Sequence, residues 1–140
     1  MSFPQPTLRL AVRSIVALAM VAALVACGDP KYRAPAIVVT FASPPATPLS
    51  TGASEGITAV LTNDTGSNKV NWSCLPDDQP GECGLFTPPQ ITSNVPTCYT
   101  APDNVPPGNT VTVIATSVTD PTKSISATIT IVSGPGQACP

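Results

Sequence analysis

Thr110-Val-Thr-Val-Ile-Ala-Thr-Ser-Val-Thr119, Asp120-Pro-Thr-Lys123 and Ser124-Ile-Ser-Ala-Thr-Ile-Thr-Ile-Val132 follow one another without a break, and they decide the fold. In the first segment Val111, Val113 and Ala115 alternate with Thr112, Ile114 and Thr116. In the last, Ile125, Ala127, Ile129 and Ile131 alternate with Ser126, Thr128 and Thr130. A period of two puts alternate side chains on opposite faces of a strand, and β-branched residues favour that backbone. The four residues between carry Pro121 at the second turn position, where its fixed φ suits a tight turn. Two half-buried strands joined by a hairpin are therefore predicted.

Working outward, weaker runs repeat the pattern. Ala36 to Ala42 is a β-branched run that reads as a first strand, after which Pro44, Pro45 and Pro48 leave a kinked edge or a loop. Gly56 to Asn63 reads as a second strand with Ile57, Ala59 and Leu61 inside. The polar cluster Asn63 to Asn68 is a turn, and Lys69 to Cys74 follows with Val70, Trp72 and Cys74 on one face. Leu75 to Gln90, rich in Pro, Gly and Asp, reads as a loop with a short extended piece near Leu85 and Phe86. Ile91 and Thr97 to Thr100 suggest a further short strand pair, and Ala101 to Gly108 is a proline-rich connection. Of 18 prolines in the chain, none falls inside an alternating run, so pattern and punctuation agree. About seven short antiparallel strands with no helical period predict an all-β sandwich over residues 36–133, followed by a tail, 134–140.

Composition narrows the function classes. The chain has 140 residues, a net charge of -2, 10% charged residues and no histidine. With no basic surplus to neutralise phosphates, nucleic-acid binding is not expected. Without histidine the commonest general base and metal ligand is missing. Serines and threonines abound, but no base stands ready to activate one. The chain therefore reads as a non-enzyme with no catalytic residue, no metal site and no cofactor. Asp77, Asp78 and Glu82 share one loop, a grouping that hard cations favour, yet it reads better as solvated acids. Asn63-Asp-Thr65 and Asn71-Trp-Ser73 match the glycan acceptor pattern and read as chance matches.

The amino-terminal 26 residues read as an address. Arg9 and Arg13 precede an unbroken apolar run from Ile15 to Val25, which is short of the ~20 residues a spanning helix needs. The run ends in Leu24-Val-Ala-Cys27, which resembles the lipobox of bacterial lipoproteins in all four positions. The resemblance implies cleavage before Cys27, a diacylglyceryl thioether on its sulfur and acylation of the new α-amine, palmitate being the usual chain. Several acyl chains anchor stably where one does not. The partner implied is the membrane itself, reached through Cys27 and a short tether at 28–35. Asp29 is displaced by one from the position that resembles an inner-membrane retention signal, which points to the outer membrane.

Residues 36 to 132 resemble bacterial immunoglobulin-like domains of the group 2 type. The resemblance is carried by Ile57-Thr-Ala-Val-Leu-Thr-Asn63, Val70-Asn-Trp-Ser-Cys74, Gly84-Leu-Phe86, Tyr99-Thr-Ala-Pro102, Thr110 to Ser117, Asp120 to Ser124 and Ala127 to Ile131. It implies an immunoglobulin-like sandwich with Trp72 in the core of its third strand. No cysteine lies on the second or sixth strand, so the inter-sheet disulfide of antibody domains is absent. Such domains serve as spacers, stalks and adhesin modules. A secretion signal places the four remaining cysteines, Cys74, Cys83, Cys98 and Cys139, in an oxidising compartment, with three connectivities open. Close pairs in similar domains support Cys74 with Cys83, which leaves Cys98 with Cys139 to pin the tail.

The expected function is that of a lipid-anchored envelope module, structural or protein-binding. The alternative is a carbohydrate-binding or adhesive module that uses the Leu75 to Pro89 loop. A sugar-stacking strip of Phe41, Trp72, Phe86 and Tyr99 would serve that alternative, although Trp72 and Tyr99 are better used as core.

Overall fold

A computed structural model describes residues 33–76 and 81–139. Cys27, most of its tether, and Asp77 and Asp78 lie outside the described residues. The chain divides into two units, Met1–Ala34 and Pro35–Pro140, and the strands belong to the second.

Among the described residues nine strands form two sheets: β1 (Val38–Ser43), β2 (Leu49–Ser50), β3 (Ser54–Thr62), β4 (Lys69–Leu75), β5 (Leu85–Thr87), β6 (Gln90–Thr92), β7 (Thr97–Thr100), β8 (Thr110–Ser117) and β9 (Ser124–Val132). A four-stranded sheet runs β1-β3-β7-β5 and a five-stranded sheet runs β2-β9-β8-β4-β6. The two sheets enclose the core, so the protein is an all-β sandwich. The β8–β9 hairpin forms as its alternation predicts: Val111, Val113, Ala115, Ile129 and Ile131 are buried, and Lys123 N–H closes the turn on the Asp120 carbonyl at 2.9 Å. Each fully buried Val or Ile among them contributes roughly 1.5–3 kcal/mol. Ile57, Ala59 and Leu61 of β3 and Val70, Trp72 and Cys74 of β4 join them in the core.

Two expectations are corrected. The first is the count of about seven antiparallel strands: the described residues form nine, and β2 pairs with β9 in parallel. β1 bulges between Phe41 and Ser43, and Pro44, Pro45 and Pro48 then have no N–H with which to extend its ladder. The chain therefore leaves the four-stranded sheet and reappears as β2 at the edge of the other. The second correction concerns β6 and β7, which do not pair with each other. β6 pairs with β4, whereas β7 lies between β3 and β5. Prolines mark both crossings. At the first, the Pro89 carbonyl accepts from Trp72 N–H at 2.7 Å and the Pro88 carbonyl from the Thr97 hydroxyl at 2.6 Å. At the second, Ser93 N–H and Asn94 N–H donate to Asn68 and Ala59 carbonyls, both at 2.9 Å. Asn94 takes a positive φ of 64°, and Pro96 supplies no donor for a hairpin.

Candidate functional site

The β4–β5 loop and the β7–β8 connection meet at one end of the sandwich. The meeting is dictated by register: Leu85 pairs with Thr100 and Phe86 with Tyr99, so the residues before β5 and after β7 leave the sheet side by side. Between them lies a cleft of about 310 Å³ bounded by Gly81, Glu82 and the segment Pro102 to Pro107. A depression of about 280 Å³ adjoins it and shares Gly81, Pro102 and Asp103, with Leu85 on its rim. Leu85 is 65% exposed, the most exposed large apolar residue of the sandwich.

The loop that carries Gly81 and Glu82 is tied down where it meets β5. Cys74 on the five-stranded sheet is disulfide-bonded to Cys83, just before β5 of the other sheet, with Cα atoms 5.8 Å apart. The Tyr99 hydroxyl donates to the Cys83 carbonyl at 2.7 Å. Gly84 lies between them at φ +100°, and a Cβ there would come within 2.8 Å of the Tyr99 ring, so only glycine lets the loop lie down on the tyrosine. Burial, with the charge of Glu55 second, pushes the Tyr99 phenol well above its ordinary range. The phenol therefore stays a donor. The second disulfide, Cys98 to Cys139, has its Cα atoms 6.3 Å apart and ties the segment after β9 to β7.

The aromatic residues are used elsewhere. Phe41, Trp72, Phe86 and Tyr99 form a column with centroids 6.2, 5.8 and 5.1 Å apart in turn. Trp72, Phe86 and Tyr99 are buried, and Phe41 is half-buried against them. The strip that could have stacked on sugars is thus the inner layer of the sandwich. Trp72 Nε1 is buried with no hydrogen-bond partner among the described residues.

Of the three acids read as a solvated loop, Glu82 is half-buried at the cleft. Among the described residues no group of three or more His, Cys, Asp or Glu could hold a metal ion. At the opposite end, Asp64 accepts from the Thr119 hydroxyl at 3.0 Å and from Gly66 N–H at 2.8 Å. Ser67 N–H donates to Thr119 Oγ1 at 2.9 Å. This carboxylate–hydroxyl cluster locks the β3–β4 turn onto the β8–β9 hairpin, and its oxygens are occupied in doing so. The cleft is different: it presents Glu82, Asp103 and Asn104 between walls of Pro102, Val105, Pro106 and Pro107. Such a lining accepts hydrogen bonds and positive charge, and holds no nucleophile–base pair. The sequence marks the loop around Glu82, whereas Ala101 to Gly108 reads there as a connection only. The available signal was the matching Pro and Gly content of the two segments.

No family model, no curated protein and no solved structure matches this chain.

Proposed function

We propose that this chain is a lipid-anchored, non-catalytic module of the cell envelope, tethered through Cys27 to the outer membrane. Its sandwich is of the immunoglobulin-like type and works by protein contact. The observation that carries the reading is the placement of the aromatics. The four rings that could form a sugar platform are packed into the core, while the exposed features are a proline-walled cleft with two carboxylates and the edge residue Leu85. Protein partners are bound by such mixed apolar and polar surfaces, whereas sugar stacking of the kind the four rings could have offered would need an exposed aromatic face. The two sheets, with Trp72 wedged between them on β4, support the immunoglobulin-like assignment.

Two experiments test this. Cells producing the full chain are fed a clickable fatty acid: the protein should label and fractionate with outer membranes, and Cys27→Ser should abolish labelling and leave uncleaved precursor. Unchanged labelling of the variant refutes the anchor. The purified full-length protein in detergent is then applied to a glycan array, and saturable binding to any sugar class would replace the protein-contact reading with the carbohydrate one.

A further inference from the structure

The two disulfides occupy different environments. Cys74 and Cys83 are each 8% exposed and belong to the hydrophobic core. Cys98 and Cys139 are only half-buried. Cys98 is flanked on β7 by the buried Thr97 and Tyr99, so alternation turns it to the outer face of the four-stranded sheet. Thiol–disulfide exchange requires a thiolate to reach a sulfur, and it reaches this pair first.

What the outer disulfide holds is also distinctive. After β9 the chain leaves the five-stranded sheet at Val132 and crosses to Cys98 on the other sheet, so residues 133–139 form a strap between the two. Ser133 to Ala138 are all exposed, and the strap buries no apolar side chain that could hold it. Its described attachments are polar and few. Ser54 N–H donates to the Gln137 carbonyl at 2.5 Å, and the Thr51 hydroxyl to the Gly134 carbonyl at a long 3.4 Å. The glycines let it lie flat: a Cβ on Gly136 would come within 2.6 Å of the Gly52 carbonyl oxygen, and one on Gly134 within 2.7 Å of Ser50 Oγ.

The strap covers a particular piece of backbone. β3 pairs with β7 from Ser54 to Ile57 and with β1 only from Thr58 onward. The β1 side of Ser54 to Ile57 is therefore an open half-edge of the sheet, and Gln137 takes the first position on it. Unpaired edge groups of this kind are available to any extended backbone that reaches them.

We propose that residues 133–139 are a redox-released strap, closed over the Ser54 end of β3 by the Cys98–Cys139 disulfide and opened by a dithiol reductant while Cys74–Cys83 and the sandwich stay intact. A thiolate of the dithiol attacks one sulfur of the pair and forms a mixed disulfide. The other cysteine leaves as a thiolate and takes a proton from water. The second thiol of the reductant then resolves the mixed disulfide, so the dithiol ends as a disulfide and Cys98 and Cys139 as thiols, two electrons having been transferred. With the covalent tie gone, two polar contacts remain among the described residues to hold a segment with two glycines, and it opens. This device needs only the two disulfides and stands apart from the anchor at Cys27.

The full chain in detergent, oxidised, is treated with graded dithiothreitol, quenched with a maleimide and mapped by mass spectrometry alongside amide hydrogen exchange. Cys98 and Cys139 should be labelled at least tenfold faster than Cys74 and Cys83. At that stage exchange at Ser54 and across 133–139 should rise at least tenfold, with β8 and β9 unchanged. Cys139→Ser should show the open pattern without reductant. Equal or reversed labelling, a strap that stays protected once Cys139 is labelled, or loss of protection throughout the sandwich on reduction of the outer pair would each overturn the proposal.

Discussion

Gly84→Ala tests whether the loop beside the cleft rests on Tyr99 as described. Gly84 has φ +100°, a conformation that costs an L-residue about 1–3 kcal/mol. The added methyl would also stand 2.8 Å from Tyr99 Cε2 and 2.9 Å from its hydroxyl oxygen, and would press on the Thr100 carbonyl. Overpacking of this kind costs about 1–3 kcal/mol. If the ring yields, the hydroxyl leaves the Cys83 carbonyl, 2.7 Å away and buried, and unsatisfied buried partners cost about 1–3 kcal/mol more. Gly81→Ala separates these effects. Gly81 has φ +86° but nothing within 4 Å of its added methyl, so it carries the backbone cost alone. Gly84→Ala should therefore be less stable than Gly81→Ala by about 3 kcal/mol, within about 2–6. In urea, with a slope of ~1–2 kcal/mol/M for a domain of this size, that is a midpoint lower by roughly 2 M. Near-UV circular dichroism should weaken with it, because Tyr99 packs at a tilt against Phe86, which stacks on Trp72. If the two variants melt within ~0.5 kcal/mol of each other, about the usual spread of a neutral surface change, Gly84 does not press on Tyr99 and the account of this loop is wrong.

Other variants probe the core and the titrating groups. Trp72→Phe should cost under ~2 kcal/mol and Trp72→Ala about 3–5, because the smaller ring still fills most of the site while removing an indole N–H that is buried without a partner; equal losses in chemical denaturation would contradict this. Tyr99 has a folded pKa raised mainly by burial, so the stability it lends is complete below the ordinary tyrosine value of ~10 and is lost as pH rises beyond it; Tyr99→Phe should be less stable at neutral pH and lack that alkaline fall. Glu55 is also raised, by burial, against the lowering effect of Ala46 N–H. Stability should thus decline as pH rises from the ordinary carboxylate range of ~4 through its folded value, and Glu55→Gln should flatten that decline in melts across pH 4 to 7. Replacing both Cys74 and Cys83 by Ala removes a loop closure worth a little under ~3 kcal/mol in the chain-entropy model; an unchanged urea midpoint would show that the bridge contributes nothing to stability.

The parts of this fold that sequence discloses are those where one physical signal repeats. β3, β4, β8 and β9 each alternate for seven residues or more, and a slip of one residue would turn every inward-facing apolar side chain of the run to solvent. Their inner faces are therefore fixed before any partner is known. β2 has two residues and β5 and β6 three each, too few for a period to show. Their sheet is chosen by contacts distant in sequence, such as Leu49 with Ile131 and Gln90 with Asn71. The prolines were visible, but a proline states only that a ladder stops. It does not state that the chain then changes sheets, as it does at Pro44–Pro48, Pro88–Pro89 and Pro96. The candidate site follows the same logic. Glu82 and Asp103 are 21 positions apart and neither lies in a patterned segment. They become neighbours because Phe86 and Tyr99 pair, and those two pair because both rings must reach the column beside Trp72. The core thus determines the cleft through the register of one three-residue strand. Phe86→Leu, which keeps an apolar side chain but removes a ring from that column, should loosen the Gly81–Glu82 and Pro102–Pro107 segments together; increased amide exchange in only one of the two would break the link between register and site.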